Sequence, residues 1–105
     1  MDNNKHIEIE HLMVITDRKK KAEMSALLTE YGAKMIKTIY ARGSVKATAL
    51  KDVFGFLPEE NKIILTCLLS SEKAAVLIEI LNNKYNFKMP NTGIAFTVPV
   101  EGLSF

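Results

Sequence analysis

Hydrophobic and polar residues alternate near the start of the chain. From His6 to Thr16, Ile7, Ile9, His11, Met13 and Ile15 fall on one side of an extended segment. Glu8, Glu10, Leu12, Val14 and Thr16 fall on the other. That period of two predicts a strand. Asp17 then stands where a helix cap is wanted. Met24, Leu27, Leu28 and Tyr31 follow at i, i+3, i+4 and i+7, one helical stripe. Gly32 comes where a helix end asks for positive φ. Lys34 to Tyr40, with its β-branched residues, predicts a second strand.

The same order of elements returns in the second half. Lys62 to Leu69 predicts a strand with apolar residues on both faces. Ser70 stands as a cap, and Ala74, Leu77, Ile78, Leu81 and Tyr85 repeat the helical stripe. KMPNTG leads into a last strand, Ile94 to Val100. The halves share architecture rather than sequence. Two strand–helix–strand units predict an α+β, ferredoxin-like βαβ-βαβ sandwich: a four-stranded antiparallel sheet with both helices on one face. Residues 1–105 make a single domain.

Two helices cover only one face of such a sheet, yet both faces carry hydrophobic residues. Ile63, Leu65, Cys67 and Leu69 alternate with Ile64 and Leu68, and Leu12 and Val14 add a second apolar side to the first strand. Soluble monomers avoid a contiguous apolar patch of this kind. The bare face is therefore expected to be buried in an oligomer, unless the long loop or the C-terminal tail folds over it.

That loop runs from Arg42 to Asn61 with no strand signal. Connections of such length inside a compact domain are usually functional or disordered. Its composition is not that of a flexible linker. Leu50, Val53, Phe54 and Leu57 have helical spacing, Phe56 adds a further apolar residue, and Gly55 and Pro58 limit any helix to short turns. Two readings stand. In one the apolar residues dock on a partner. In the other a short helix packs on its own sheet or on a neighbouring subunit.

Charge and composition narrow the function. A net charge of +2 with mixed signs is no footprint for nucleic acid. The run Arg18-Lys19-Lys20-Lys21 is expected to be a solvated face, with anion contact the lesser reading. The one cysteine, Cys67, lies inside IILTCLL, where a buried hydrophobe is expected rather than a reactive thiol. The polar start and the short apolar runs predict a cytoplasmic protein without membrane insertion. His6 and His11 fall on opposite sides of the strand, so no metal site is expected. No P-loop, CxxC pair or Ser/His/Asp set is recognisable, and an enzyme is not expected.

ARGS (Ala41 to Ser44), closing the second strand, and PNTGIAFTVPV (Pro90 to Val100), forming the last, bring a family into view. Together with the element order and the long central loop, they resemble the nitrogen-regulatory PII superfamily in its shorter, PII-like branch. The resemblance runs roughly from Leu12 to Val100. It implies a homotrimer with the sheets facing the threefold axis. It implies that residues 42–61 form a T-loop-like connection that meets a target protein or transporter, here through Leu50, Val53, Phe54, Phe56 and Leu57. It also implies an effector site, for an adenine nucleotide such as ATP, ADP or AMP, in the cleft between subunits. Carried over, that site takes Arg42, Gly43 and Ser44 from the loop base, and Lys88, Asn91, Thr92 and Gly93 from the loop before the last strand.

The chain departs from the classical pattern in several places. The loop before the last strand keeps one glycine, Gly93, and Lys88 precedes Pro90. The sequence closes on EGLSF with no basic residue. No tyrosine lies between Gly43 and Lys62, so covalent tyrosine modification of the loop is not expected. The resemblance thus implies a ligand-sensing trimer acting in nitrogen or carbon metabolism. The alternative is a structural or interaction trimer of the same fold with a degenerate, ligand-free site.

Overall fold

The computed structural model describes residues 8–41, 61–89 and 92–102. Among these residues, four strands and two helices follow in the order β1 (Ile9–Asp17), α1 (Lys21–Glu30), β2 (Lys34–Ala41), β3 (Lys62–Ser70), α2 (Ser71–Asn83) and β4 (Gly93–Val100). One 3-10 turn, Arg18–Lys20, joins β1 to α1. The sheet order is β2-β3-β1-β4, and every neighbouring pair is antiparallel. This is the split βαβ arrangement that the repeated pattern predicted. The first strand begins at Ile9 rather than His6; Glu8 precedes it and its carbonyl accepts from the Ser71 N–H at 2.9 Å. His6 and Ile7 lie outside the described residues.

Local chemistry sets the element ends. The Asp17 carboxylate accepts from the Lys19 N–H at 2.9 Å and caps the 3-10 turn. The Ser70 hydroxyl accepts from the Lys73 N–H at 3.3 Å and caps α2. At the end of α1, Gly32 takes φ +79°. Its N–H reaches the Thr29 carbonyl and the Ala33 N–H reaches that of Leu28, both at 3.0 Å. That is a Schellman turn, and glycine enters it without the strain a Cβ would bring. β2 carries one extra residue opposite β3 between Lys34 and Lys37, with Met35 at φ 55°. A bulge of this kind blunts an exposed edge strand.

The register sorts the sheet into rows. On the helix side, Thr38, Leu65, Val14 and Ala95 form one row and Cys67, Leu12 and Thr97 lie in the next. Leu12, Val14, Ile63, Leu65, Cys67 and Leu69 are buried there beneath Met24, Leu27 and Leu28 of α1 and Ala74, Leu77 and Leu81 of α2. Each of these larger side chains contributes roughly 1.5–3 kcal/mol by leaving water. Burial pushes the Cys67 thiol up to about 11, which keeps it a neutral, inert core residue.

The other side carries no helix among the described residues. Ile39, Ile64, Ile15 and Ile94 form a row across all four strands. Lys37, Thr66, Met13 and Phe96 form the next, then Leu68, His11 and Val98. Ile39, Phe96 and Val98 stand exposed at the two edges.

Candidate ligand and interaction site

The last row on the helix side, at the C-terminal end of β1, reads Tyr40, Ile63, Thr16 and Gly93. Its two ends lie on opposite edges of the sheet, and each gathers different chemistry.

At the β4 edge the chain is held by packing. After α2, Asn86 turns with φ 60° and sends Phe87 back into the core. The Phe87 N–H donates to the Leu81 carbonyl at 3.0 Å. The ring then lies over Gly93, where a Cβ would stand only 2.5 Å from the ring carbon Cζ. No side chain fits at 93 while the ring stays in place. Beside it the Thr16 hydroxyl, almost wholly buried, donates to the Thr92 carbonyl at 3.0 Å. The loop leading into β4 is thus fastened to β1 by one hydrogen bond and to the core by one ring.

At the β2 edge the chemistry is cationic. The Arg18 guanidinium stacks on the Tyr40 ring, 4.8 Å from its centre, and the Lys21 ammonium lies 5.1 Å from it. Lys21 also donates to the Tyr40 phenol oxygen. The Arg18 N–H donates to the Asn61 carbonyl at 3.1 Å, tying the 3-10 turn to the residue just before β3. In the run that the sequence suggested as a solvated face, Lys19 and Lys21 are exposed, and Arg18 and Lys21 also turn onto Tyr40.

Of the residues expected to bind a ligand, Thr92 and Gly93 sit at the β4 edge of this row. Lys88 is exposed and borders a hollow beside α2 with Ala75, Ile78, Glu79, Asn82 and Asn83. Arg42, Gly43, Ser44 and Asn91 lie outside the described residues, as do Leu50, Val53, Phe54, Phe56 and Leu57. β2 ends at Ala41, immediately before Arg42, so the chain enters residues 42–60 from the same end of the sheet as Gly93. Three strand spacings separate Tyr40 from Gly93, about 14 Å. No single small group touches both within one chain.

Phe87 escaped the sequence reading because it belongs to no periodic run. The available signal was the lone glycine at 93. Arg18 and Lys21 escaped as a pair because their meeting point, Tyr40, is on another element. A second groove, between the C-terminal ends of α1 and α2, is lined by Leu27, Glu30, Tyr31, Glu79, Ile80, Asn83 and Lys84. Among the described residues no group of three or more metal-binding side chains is found, and no helix is long and apolar enough to cross a membrane.

No family model matches the sequence, and no curated protein matches it either. Solved structures do match its backbone. The chain has the PII-like fold. It superposes on a PII-like signalling protein from Thermus thermophilus with a TM-score of 0.65 and 19% identity, over 90% of this chain and 87% of that one. It superposes on CPII from Thiomonas intermedia, bound to ADP, AMP and acetate, with a TM-score of 0.66 and 15% identity, over 89% and 86%. A functionally unknown protein from Pediococcus pentosaceus matches with a TM-score of 0.65 and 10% identity, over 95% and 99%. At these identities the likeness is one of fold, and the PII-like fold carries function through its sites rather than its backbone.

Proposed function

We propose that the chain is a PII-like regulatory protein: a homotrimer that senses an adenine nucleotide between subunits and acts on a target protein or transporter through residues 42–61. The observation that carries this reading is the end of the sheet described above. The loop entering β4 is fastened there by Thr16 and Phe87, and β2 delivers the chain to Arg42 at the same end. Because those two features lie on opposite edges, a compact site using both needs the edge of a neighbouring subunit. The apolar rows on the open face supply a surface for that assembly. CPII, which has this fold, has a structure bound to ADP, AMP and acetate, and that supports the choice of ligand. In this reading Thr92 and Gly93 present backbone to the nucleotide, with Arg42, Gly43, Ser44, Lys88 and Asn91 as further contacts.

Thermal unfolding of the full chain with ATP, ADP, AMP, cyclic AMP and 2-oxoglutarate tests it. A ligand at about 100 times its Kd adds roughly 2.7 kcal/mol. In a domain of this size that raises the midpoint by about 10 °C or more. A selective rise with one nucleotide is the expected result. No rise with any leaves a trimer that works without a ligand.

A further inference from the structure

We infer that Arg18, Lys21 and Tyr40 form an oxyanion site at the β2 edge of the sheet, built to take a phosphate group. The site needs no nucleotide and goes beyond the reading above.

Three elements contribute one side chain each: the 3-10 turn, α1 and β2. Two cations lie within 4.8 and 5.1 Å of one ring centre. The two charges are therefore at most about 10 Å apart, within a Debye length, and repel each other. Among the described residues no carboxylate pairs with either. The nearest in sequence, Asp17, is engaged with the Lys19 N–H and caps the turn. Among the described residues the cluster is thus a pair of positive charges with no negative one beside them.

The donors also outnumber the acceptors. The Tyr40 oxygen accepts from Lys21, so its own O–H remains to be given. The Arg18 Nε is buried with no acceptor. A guanidinium lying over a ring can still give its edge N–H groups to a phosphate or carboxylate. Tyr40 is 51% exposed and Lys21 is exposed, so an ion reaches the cluster from solvent. An aromatic ring holds the two cations in place, and the donors that remain suit a ligand made only of acceptors.

Purely structural stacking is the competing account, and the two differ in sign. If Arg18 and Lys21 only hold Tyr40 down, removing their charge lowers the unfolding midpoint with or without an anion. If they form an anion site, Arg18→Gln with Lys21→Gln leaves the midpoint in chloride unchanged or higher, because repulsion is relieved. The variant then loses the rise that inorganic phosphate gives the native chain.

The direct test is titration of the full chain with inorganic phosphate, followed by backbone amide NMR at ionic strength held constant with chloride. Saturable shifts are expected at Arg18, Lys21 and Tyr40. The double variant should weaken binding by roughly tenfold or more, as the loss of a charge-assisted hydrogen bond implies. Tyr40→Phe, which keeps the ring and removes the O–H, should weaken it less. No saturable shift at these residues in the native chain overturns the site. So does a double variant that binds phosphate as tightly as the native chain.

ATP, ADP and AMP added to the same samples identify the source of the phosphate. Competition with inorganic phosphate at these amides assigns the site to a nucleotide phosphate. Undisturbed phosphate binding beside a bound nucleotide assigns it to a separate ion. Phosphate binding with no response to any nucleotide keeps the site and removes the nucleotide reading.

Discussion

The two edges of the sheet meet the same row of residues and treat it differently. At the β4 edge, Phe87 fills the space over Gly93 and the Thr16 hydroxyl holds the Thr92 carbonyl. At the β2 edge, Arg18 and Lys21 crowd onto a half-exposed Tyr40 with no carboxylate to meet them among the described residues. One edge is set by shape, the other by charge. The shaped edge is closed within the chain, since its polar group has a partner and its ring is buried. The charged edge is open, since among the described residues its donors exceed its acceptors. The difference teaches that a packed strand start and a charged cluster in one chain need not belong to one compact site. About 14 Å of sheet stands between them.

The strongest way to break the comparison is to empty the shaped edge. Phe87→Ala should destabilise the fold by about 3 kcal/mol, the usual cost of deleting a buried ring. Urea unfolding measures it, and a loss near zero would mean that the ring does not anchor the loop. Gly93→Ala comes next, at roughly 2 kcal/mol from overpacking. Most of that cost should vanish when Phe87 is already alanine, because the clash has gone. A double-mutant cycle showing simple additivity would disconnect the two residues. Thr16→Val keeps shape and burial but leaves the Thr92 carbonyl without its donor, at about 1 kcal/mol. Its amide exchange at Thr92 and Gly93 should quicken while the β1–β3 ladder stays protected. The smallest effect is expected outside the row. Met35, exposed and at φ 55°, sits in a backbone region that favours glycine. Met35→Gly should stabilise by at most about 1 kcal/mol, and a clear loss would show that the side chain itself is needed at the bulge.

Much of the fold was legible because its signals are local. Alternation in Leu12–Thr16 and Ile63–Leu69, the stripe Met24, Leu27 and Leu28, the caps Asp17 and Ser70, and Gly32 each act within a few residues. The structure shows them in the expected roles, except that Asp17 caps the 3-10 turn before α1, and α1 itself has Lys20 at its N-cap without a side-chain cap. The choice of sheet face was not legible. β3 is apolar on both sides, so only the packing of α1 and α2 shows that Leu65 and Cys67 face the helices while Ile64 and Leu68 face away. The alternation in the sequence runs from His6, which lies outside the described residues, and β1 begins at Ile9. Tyr85 extends the helical stripe in sequence, but α2 ends at Asn83 and Tyr85 reaches the core from beyond it. At the site, Thr92 and Gly93 were named from a motif, whereas their partners Thr16 and Phe87 are 76 and 6 residues from them. Nothing in a linear pattern pairs positions so far apart. A separation of 19 residues likewise hid the meeting of Lys21 with Tyr40.

The account rests on the need for a neighbouring copy, and the mass of the chain in solution tests that most directly. Light scattering on the full chain at micromolar concentration should give three times the mass of one chain. Ile39→Glu, which places a charge at the exposed end of the isoleucine row on the open face, should bring it down to one. A native chain that already runs as a monomer would contradict the account, for then the open face stays bare and the two edges never meet.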